Sequence, residues 1–348
     1  MLFDSHIHFG QFYDLYTSPT ELKRFLDSVG VERFAASSTT ICEGDYDKVI
    51  AETKEVANIC GNRFLPVLWI TQPMMKDGGL FRLMDSGIRW RCLKIHPQLH
   101  PTTWIDDSHE MKWVVSMASV LQMPLLIHTG EKEGCCPKLY EKVVSDFPNV
   151  DFILAHGRPI NDTIELMKTY PNVWCDTAFM PTENIVKLCD EKLSNCVLWG
   201  TDYPIPKYYY LDTDMKIYYL DLVQKLKDSI SQEDFELITH KNYEKLFGRM
   251  HKTYTASRIS EGNVLFPPTI IFDDNGVTVR CPFIYSGKST YIPYNCISSV
   301  HIETPIIGFS TISFYAFGNL VSIHGFLKSE AIQMRQIIIA HQRKKHTP

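Results

Sequence analysis

The sequence predicts an eight-stranded β/α barrel over residues 1 to about 250, followed by a small antiparallel sheet and a C-terminal helix. Three observations lead to this fold class. Short apolar runs alternate eight times with stretches of helical spacing, the runs are almost continuously apolar, and the pattern becomes strand-like beyond residue 250. Strands and helices that alternate in this number close into a (β/α)8 barrel, the TIM-barrel architecture.

The eight predicted strands are rich in β-branched and aromatic residues, and each precedes a polar loop. Because each run is apolar on both faces, the strands should be parallel and covered by helices. Their predicted bounds are Leu2 to His8, Arg33 to Ser37, Phe64 to Ile70, Cys92 to His96, Pro124 to His128, Asp151 to His156, Val173 to Asp176 and Val197 to Asp202.

Helix signals lie between these strands. The segment Ser18-Pro19-Thr20-Glu21 has the proline and the early acidic residue of a helix start. A second helix is predicted over Asp47 to Cys60, where Gly61 ends it. The last barrel helix is predicted over about Ser231 to Leu246 and stops at Gly248.

Residues 264 to 345 are predicted to form a second, smaller domain. Turn signals at Asp273-Asp274-Asn275-Gly276 and Phe317-Gly318-Asn319 interrupt its alternating pattern, and Lys328 to His341 has apolar residues on one helical face. In shape this segment resembles a bacterial pleckstrin-homology-like (PH-like) module. Its strands are predicted over Thr269 to Val279, Ser289 to Thr304 and Ile312 to Ile323. Because such modules more often mediate contacts than chemistry, we expect a homo-oligomer or a protein contact through this domain.

Composition and charge narrow the class of protein. Hydrophobic residues make up 45% of the chain and aromatic residues 12%, which is enough for a large core. No run of 18 apolar residues and no export signal are seen, so we expect a cytoplasmic protein without a membrane span. The ten cysteines lack CxxC pairing, and adjacent Cys135 and Cys136 are assigned to a loop. Residues 1–254 hold 27 basic against 35 acidic side chains, which argues against a nucleic-acid groove.

Polar side chains collect where the predicted strands end. Five histidines and one aspartate lie there: His6, His8, His96, His128, His156 and Asp202. In a β/α barrel this end is the mouth where active sites are built. Because His6 and His8 are two residues apart on a strand, both side chains point into the barrel and can grip one metal ion. With another histidine and a carboxylate from distant strands, the donor set suits zinc, with manganese or iron as alternatives.

Six segments in barrel order carry a family resemblance: Asp4-Ser5-His6-Ile7-His8, Leu93-Lys94-Ile95-His96-Pro97, Ile127-His128-Thr129-Gly130, Ala155-His156-Gly157-Arg158, Gly200-Thr201-Asp202-Tyr203-Pro204 and Asn242-Tyr243-Glu244-Lys245-Leu246-Phe247-Gly248. With them the chain resembles the amidohydrolase superfamily over residues 1 to about 250. The similarity is to the amidohydrolase-related branch, which contains metal-dependent hydrolases and some decarboxylases.

The resemblance implies a metal ion held by four residues: His6, His8, His128 and Asp202. Asp202 would be both ligand and general base, and His156 would orient water or polarise the substrate. The expected reaction is attack of water on the carbonyl of an amide, lactone or ester. Two alternatives stay open: a non-oxidative decarboxylase that uses the same ligands, and a metal-binding scaffold without catalysis.

Two cationic residues are candidates for binding an anionic small-molecule substrate. In some relatives a lysine on the fourth strand is carboxylated and bridges two metals. Lys94 also suits a lysine that binds a substrate carboxylate or pairs with an aspartate, which is the use we favour. Arg158 lies on the sixth loop, where its fork of donors can clamp an anion; a surface role beside Pro159 is the alternative.

Overall fold

The chain divides into two compact units, residues 1–248 and residues 249–348. The computed structural model describes residues 1–99, 108–132, 134–248, 252–260, 267–273, 276–282 and 287–343. Each unit has its own hydrophobic core. Buried apolar clusters of the first unit draw on residues between Phe3 and Phe247, and the cluster of the second draws on residues between Tyr254 and Ile338.

The first unit is built on a curled sheet with helices between its strands. The strands are β1 Phe3–Phe12, β2 Leu15–Thr17, β3 Arg33–Ser38, β4 Phe64–Trp69, β5 Cys92–Ile95, β6 Leu125–His128, β7 Phe152–Ala155, β8 Val173–Asp176 and β9 Val197–Leu198. Their order in the sheet is β2-β1-β3-β4-β5-β6-β7-β8-β9, and all neighbours are parallel except the short hairpin of β1 and β2.

All eight predicted barrel strands are confirmed, with bounds that shift by a few residues. β1 continues past His8 and turns into the hairpin with β2, which the sequence did not indicate. β9 ends at Leu198, so Asp202 lies in the loop after the strand rather than at its last position. The barrel fold class is therefore the one that the sequence predicts.

Backbone hydrogen bonds between β1 and residues 199–203 close the sheet into a barrel. The amide of Asp202 donates to the carbonyl of His6 at 2.7 Å, and the amide of His8 donates to the carbonyl of Tyr203 at 2.6 Å. A parallel bridge pairs Ile7 with Tyr203 between them. We call this contact of the first strand with the residues after the last strand the seam.

The helices of the first unit alternate with its strands. They are α1 Pro19–Val29, α2 Tyr46–Cys60, α3 Gln72–Asp77, α4 Gly79–Met84, α5 His109–Leu121, α6 Glu141–Asp146, α7 Ile160–Thr169, α8 Thr182–Asp190, α9 Ile205–Tyr209, α10 Met215–Ser229, α11 Gln232–Glu236 and α12 Asn242–Phe247. Ser18 and Glu21 form the capping box that starts α1, as the sequence indicates. The predicted last helix is α11, a π-helical turn over Leu237–Lys241, and α12. Within the described ranges, no helix has both the length and the apolar character that a bilayer crossing requires.

The second unit contains two antiparallel sheets and a helix. The first sheet is β10 Lys252–Thr255, β11 Thr269–Phe272, β12 Gly276–Pro282 and β13 Gly287–Pro293; the second is β14 Ile297–Glu303, β15 Ser310–Ala316 and β16 Asn319–Phe326. Helix α13 covers Lys328–Arg343. The predicted antiparallel character and C-terminal helix are confirmed, whereas the likeness to a PH-like module stays a prediction.

The predicted strand bounds of the second unit were wrong, because each of the three ranges holds two strands. A turn divides the predicted range Ile312 to Ile323 at Phe317 and Gly318, which both adopt left-handed backbone angles. A 3-10 turn over Tyr294–Cys296 divides β13 from β14. At the third division, residues 274 and 275 of the predicted turn lie outside the described residues, and the amide of Asp273 donates to the carbonyl of Gly276 across them.

We predict that a chain ending at Gly248 folds without the second unit. The physical reason is that the buried apolar clusters of the barrel draw on residues up to Phe247 alone. Circular dichroism and thermal melting, compared with the full chain, should show the helical content of the barrel and one cooperative transition. Light scattering should show a change in assembly if the second unit holds copies together. An unfolded fragment would mean that the boundary cuts a single cooperative domain.

Candidate active site

A cavity of about 590 Å³ lies at the mouth of the barrel. Its volume is in the range of small-molecule sites. The predicted site residues that line it are His8, Lys94, His128, His156, Arg158 and Asp202. His6, the remaining predicted site residue, is buried with 2% of its surface exposed. Loops and strand ends far apart in the sequence therefore meet at one place, as the barrel prediction required.

Three electron-rich atoms converge on the floor of this cavity. Oδ1 of Asp202 lies 2.9 Å from Nε2 of His8 and 3.3 Å from Nε2 of His6. The three residues are buried, so water does not screen their mutual repulsion. Such a set requires a cation between its members. The Lys94 ammonium lies there in this structure, and two imidazole nitrogens with a carboxylate oxygen also suit a divalent ion.

The second nitrogen of each imidazole is tied to the protein. Nδ1 of His6 donates to Oδ2 of Asp176 at 2.9 Å. Nδ1 of His8 lies 3.2 Å from the backbone carbonyl of Ser37 and 2.9 Å from its hydroxyl oxygen. A carbonyl and a carboxylate beside Nδ1 can only accept, and the Lys94 ammonium beside both Nε2 atoms can only donate, so the hydrogen of each neutral ring belongs on Nδ1. Both Nε2 atoms are then free of hydrogen, which is the arrangement that a metal ligand needs.

His128 and His156 form a second pair beside this floor. Nδ1 of His156 donates to the carbonyl of Ala178 at 3.0 Å, and its Nε2 lies 3.0 Å from Nδ1 of His128. By the same reasoning Nε2 of His156 accepts, Nδ1 of His128 donates, and Nε2 of His128 carries no hydrogen. His128 is not in the groups of potential ligand atoms that lie within 4.8 Å of one another among the described residues. Its role as a ligand stays a prediction.

Lys94 occupies the centre of the acceptor set. Its Nζ lies 2.8 Å from Nε2 of His6, 3.0 Å from Nε2 of His8 and 4.6 Å from the centre of the Trp69 ring. Burial lowers the pKa of its ammonium from 10.5 to about 8, although Asp202 and Asp176 act in the opposite direction. A metal ion can reach the two Nε2 atoms only when Nζ leaves them, so Lys94 and the ion compete for one place.

The histidines of the site are neutral at pH 7. Burial lowers the pKa of His6, His8 and His128 well below 6.5, and the ammonium of Lys94 adds to the effect. For His156 burial lowers the pKa to about 4, against the attraction of Asp202 and Asp176. Neutral imidazole is the form that binds metal ions, so no proton has to be removed from these rings near neutral pH.

Three residues at the mouth have backbone angles that non-glycine residues rarely adopt. The φ angles are 69° for His156, 60° for Asp202 and 54° for Phe179. Left-handed angles at such residues store strain, which proteins keep chiefly where function needs it. Hydrogen bonds hold two of them in place: the amide of His156 donates to Asp176, and that of Asp202 to His6.

The walls of the cavity combine aromatic rings with cations. His96 stacks on His128 with 3.7 Å between ring centres and on Trp69 with 5.5 Å. Arg158 lines the opening, and its Nε is buried without a hydrogen-bond partner among the described residues. Trp69, at the end of β4, also lines the cavity, whereas the ring of Tyr203 stacks on Phe25.

Several residues of the site were missed from the sequence. Ser37 orients His8, and it ends a predicted strand, so the rule that finds polar strand ends could have found it. Asp176 also ends a predicted strand, so the same rule could have found it, and its carboxylate accepts from Nδ1 of His6. Phe179 had no sequence signal, because a bulky residue is not expected where φ is positive.

Comparison with known proteins agrees with this geometry. The amidohydrolase family model matches residues 3–249. The chain belongs to the amidohydrolase family. The match ends within one residue of the end of the barrel unit at residue 248.

Solved structures share the barrel fold of this amidohydrolase at low sequence identity. An uncharacterised TIM-barrel protein from Bordetella bronchiseptica is 17% identical, with a TM-score of 0.55 over 71% of this chain and 98% of its own. A probable 2-pyrone-4,6-dicarboxylic acid hydrolase from Acinetobacter baumannii, with citric acid bound, is 12% identical, with a TM-score of 0.53 over 71% and 99%. No curated protein matches the chain. Likeness at these identities shows the fold alone.

Asp4 ties the seam together beneath the site. Its Oδ2 accepts from Oγ1 of Thr201 at 2.7 Å and from the hydroxyl of Tyr219 at 3.1 Å, and its Oδ1 accepts from the amide of His6 at 3.1 Å. Burial raises the pKa of its carboxyl from 3.8 to about 7, despite these three donors. Between these two pKa values the carboxyl of Asp4 is protonated in the folded protein and ionised in the unfolded chain.

We predict that Asp4→Asn gains stability relative to the parent as pH rises from about 4 to about 7. Between the unfolded pKa of 3.8 and the folded pKa of about 7, the native state binds more protons, so the parent loses free energy of unfolding as pH rises. Asparagine does not titrate and escapes this loss. Urea unfolding of both proteins at several pH values measures the difference, which should level off above pH 7. A constant difference would contradict the assignment.

Proposed function

We propose that this amidohydrolase is a metal-dependent hydrolase that cleaves an amide, lactone or ester bond of an anionic small molecule. The observation that carries the proposal is the convergence of two hydrogen-free imidazole nitrogens and a carboxylate oxygen on one point of the cavity floor. His6, His8 and Asp202 would hold the ion, with His128 as the fourth ligand. Zinc is the ion this donor set favours, with manganese or iron as alternatives.

A divalent ion bound there supplies Lewis acidity, which polarises a carbonyl and makes water more acidic near neutral pH. The side chains do the rest. Oδ1 of Asp202 faces the imidazoles, and its Oδ2 would accept the proton of the attacking water as general base. His156, fixed by the carbonyl of Ala178, would orient that water or the substrate carbonyl.

Two cations support an anionic substrate. Arg158 brings a guanidinium to the wall of the cavity, where a substrate carboxylate can accept from it. Lys94, displaced from the imidazoles by the ion, would turn its ammonium toward substrate. Both residues lie in a partly closed cavity, where a charge interaction is stronger than in bulk water.

Other parts of the proposal concern the setting of the enzyme. All ten cysteines are free thiols, which supports a reducing cytoplasm. The second unit, with its own core and antiparallel sheets, would act as a PH-like module over residues 264–345 that joins copies of the chain or a partner protein. The barrel over residues 1–250 would carry the chemistry alone.

The same site also fits a non-oxidative decarboxylase, and the products separate the two reactions. A hydrolase consumes water and yields two fragments or an opened ring, whereas a decarboxylase releases carbon dioxide from an aromatic carboxylate. A screen of lactones, N-acyl amino acids and aromatic carboxylates, read by mass spectrometry, distinguishes them. Metal binding without turnover of any compound would favour the scaffold alternative.

We predict that the purified protein binds about one divalent ion and that His8→Ala loses most of it, because the variant removes one of the three imidazoles from the proposed ligand set. Plasma mass spectrometry measures the metal content. His109→Ala is the matched control, since His109 is exposed on α5 and should leave the content unchanged. Absence of zinc, manganese, iron, cobalt and nickel after reconstitution would refute the metal proposal.

Lys94→Met tests how the lysine and the ion share the site. If Nζ competes with the ion, methionine removes the competitor and metal affinity stays the same or rises. If a carboxylated Lys94 bridges two ions, the variant loses metal instead. Titration of the apo-protein with zinc gives the answer without any substrate.

We predict that Asp202→Asn folds normally and loses at least about a thousandfold in kcat/KM, because the amide keeps the shape but removes the proton acceptor and one ligand charge. The assay uses whichever compound of the screen the parent turns over. Asp190→Asn, an exposed aspartate on α8, is the matched control and should retain full activity. Activity of Asp202→Asn within tenfold of the parent would assign the base elsewhere.

A further inference from the structure

A second cavity, of about 240 Å³, lies beside the candidate active site. We call it the side cavity. Phe179 and Tyr210 line both cavities, so these two rings are the wall between them. The Phe179 ring also lies 6.0 Å from the ring of His156, close to the proposed chemistry. A ligand that extends from the main cavity past these two side chains would occupy both cavities.

The side cavity is lined largely by apolar side chains. Met180, Ile185 and Leu226 are buried there, and Leu222 is partly buried. Two polar side-chain groups in its wall already have partners in the protein. Thr177 Oγ1 exchanges hydrogen bonds with the backbone of Gly200 at 3.0 and 3.1 Å, and the indole nitrogen of Trp199 donates to the hydroxyl of Tyr219 at 3.1 Å.

Among the described residues, no charged side chain lines the side cavity, and its remaining side-chain polar groups are the hydroxyls of Thr182, Tyr210 and Tyr218. Apolar cavities of about 150 Å³ are large enough to bind a benzene ring, and the side cavity exceeds that volume. The main cavity differs in character, since it carries Lys94, Arg158 and Asp202. A cavity with charged side chains beside one that is lined by uncharged, mostly apolar side chains fits the two ends of one amphiphilic molecule.

The backbone of Phe179 indicates that its ring is needed where it is. The amide of Met180 donates to the carbonyl of Thr177 at 3.0 Å, which makes residues 177–180 a turn with Phe179 at a φ of 54°. Glycine or asparagine takes this turn position without strain, whereas phenylalanine does not. A glycine would remove this strain, yet the chain has phenylalanine between the two cavities. This is consistent with a functional role for the Phe179 ring.

We propose that the side cavity binds an apolar chain or ring of the substrate whose polar, reacting end lies in the main cavity, with Phe179 and Tyr210 as the selective wall. The proposal deepens the proposed function and rests on it for the anionic end. The substrate class is thus an acyl compound or carboxylate that carries a medium-length aliphatic chain or an aryl group.

Binding measurements test this without any turnover. Calorimetry gives the dissociation constants of two homologous series, straight-chain carboxylates from butyrate to octanoate and primary alcohols of the same lengths. In the parent, affinity should rise about threefold to fourfold for each added methylene once the chain enters the side cavity. No dependence on chain length in either series would overturn the proposal.

Leu222→Trp fills the side cavity from α10. We expect this variant to lose the gain in affinity from butyrate to octanoate, while butyrate itself binds as in the parent. Leu220→Trp is the matched control, because Leu220 is exposed on the same helix and does not line the cavity. An unchanged chain-length gain in Leu222→Trp would overturn the proposal.

Phe179→Gly provides a second variant that does not depend on filling a core position. Glycine accepts the positive φ, so the fold should be retained. With the wall opened, 4-phenylbutyrate should bind at least about threefold more tightly, while butyrate is unaffected. Equal weakening of all the longer ligands would mean that Phe179 packs on the chain inside the main cavity, which contradicts the proposal.

The two series also separate this inference from the proposed function. If carboxylates bind no better than alcohols of equal length, the anionic end of the proposed substrate is wrong, and the alcohols still decide whether the side cavity takes the chain. If chain-length dependence is present but no compound is hydrolysed, the hydrolase proposal fails on its own.

Discussion

The carboxylate of Asp176 fixes three parts of the candidate site at once. Its Oδ2 accepts from Nδ1 of His6 at 2.9 Å, and its Oδ1 accepts from the amides of His156 and Ala178 at 3.0 Å each. The first strand, the loop after β7 and the turn after β8 are therefore held by one group. A buried carboxylate is costly to desolvate, and burial raises the pKa of Asp176 even with these donors present. Because the buried carboxylate must be hydrogen-bonded, its three donors are held in fixed positions, and the rest of the site geometry follows from them.

Orientation of the histidines passes outward from this carboxylate. Because Asp176 takes the hydrogen of His6 Nδ1, the Nε2 atom of His6 faces the cavity. Ala178 is positioned by the same carboxylate and sets the ring of His156, which in turn sets the ring of His128. The left-handed angles of His156, Phe179 and Asp202 each cost roughly 1–3 kcal/mol. The protein tolerates these costs because hydrogen bonds fix the backbone of His156 and Asp202.

The sequence was sufficient for the barrel, since continuous apolar runs mark strands buried on both faces. It also predicted that His6, His8 and Asp202 lie together, because the carboxyl ends of parallel strands share one end of the barrel. It was not sufficient for side-chain placement: nothing in the sequence says that Lys94 lies between two imidazoles, or that Nδ1 of His128 faces His156. In the second unit, three ranges were taken for single strands although two of them contained recognised turn residues. The turn signals at Asp273 to Gly276 and at Phe317 to Asn319 interrupt the alternation, so each of these two ranges should have been divided into two strands.

The seam has a consequence for how the enzyme is made. His6 and His8 lie on the first strand, whereas Asp202 follows the last, and the hydrogen bond from Thr201 to Asp4 spans 197 residues of chain. A ribosome that adds roughly 5–20 residues per second needs about 10 to 40 s to synthesise that interval. During this interval the nascent chain contains His6 and His8 but not yet Asp202. The candidate site is thus completed only after the final strand is made, so a translation product that ends before Thr201 and Asp202 lacks this carboxylate and cannot form the seam.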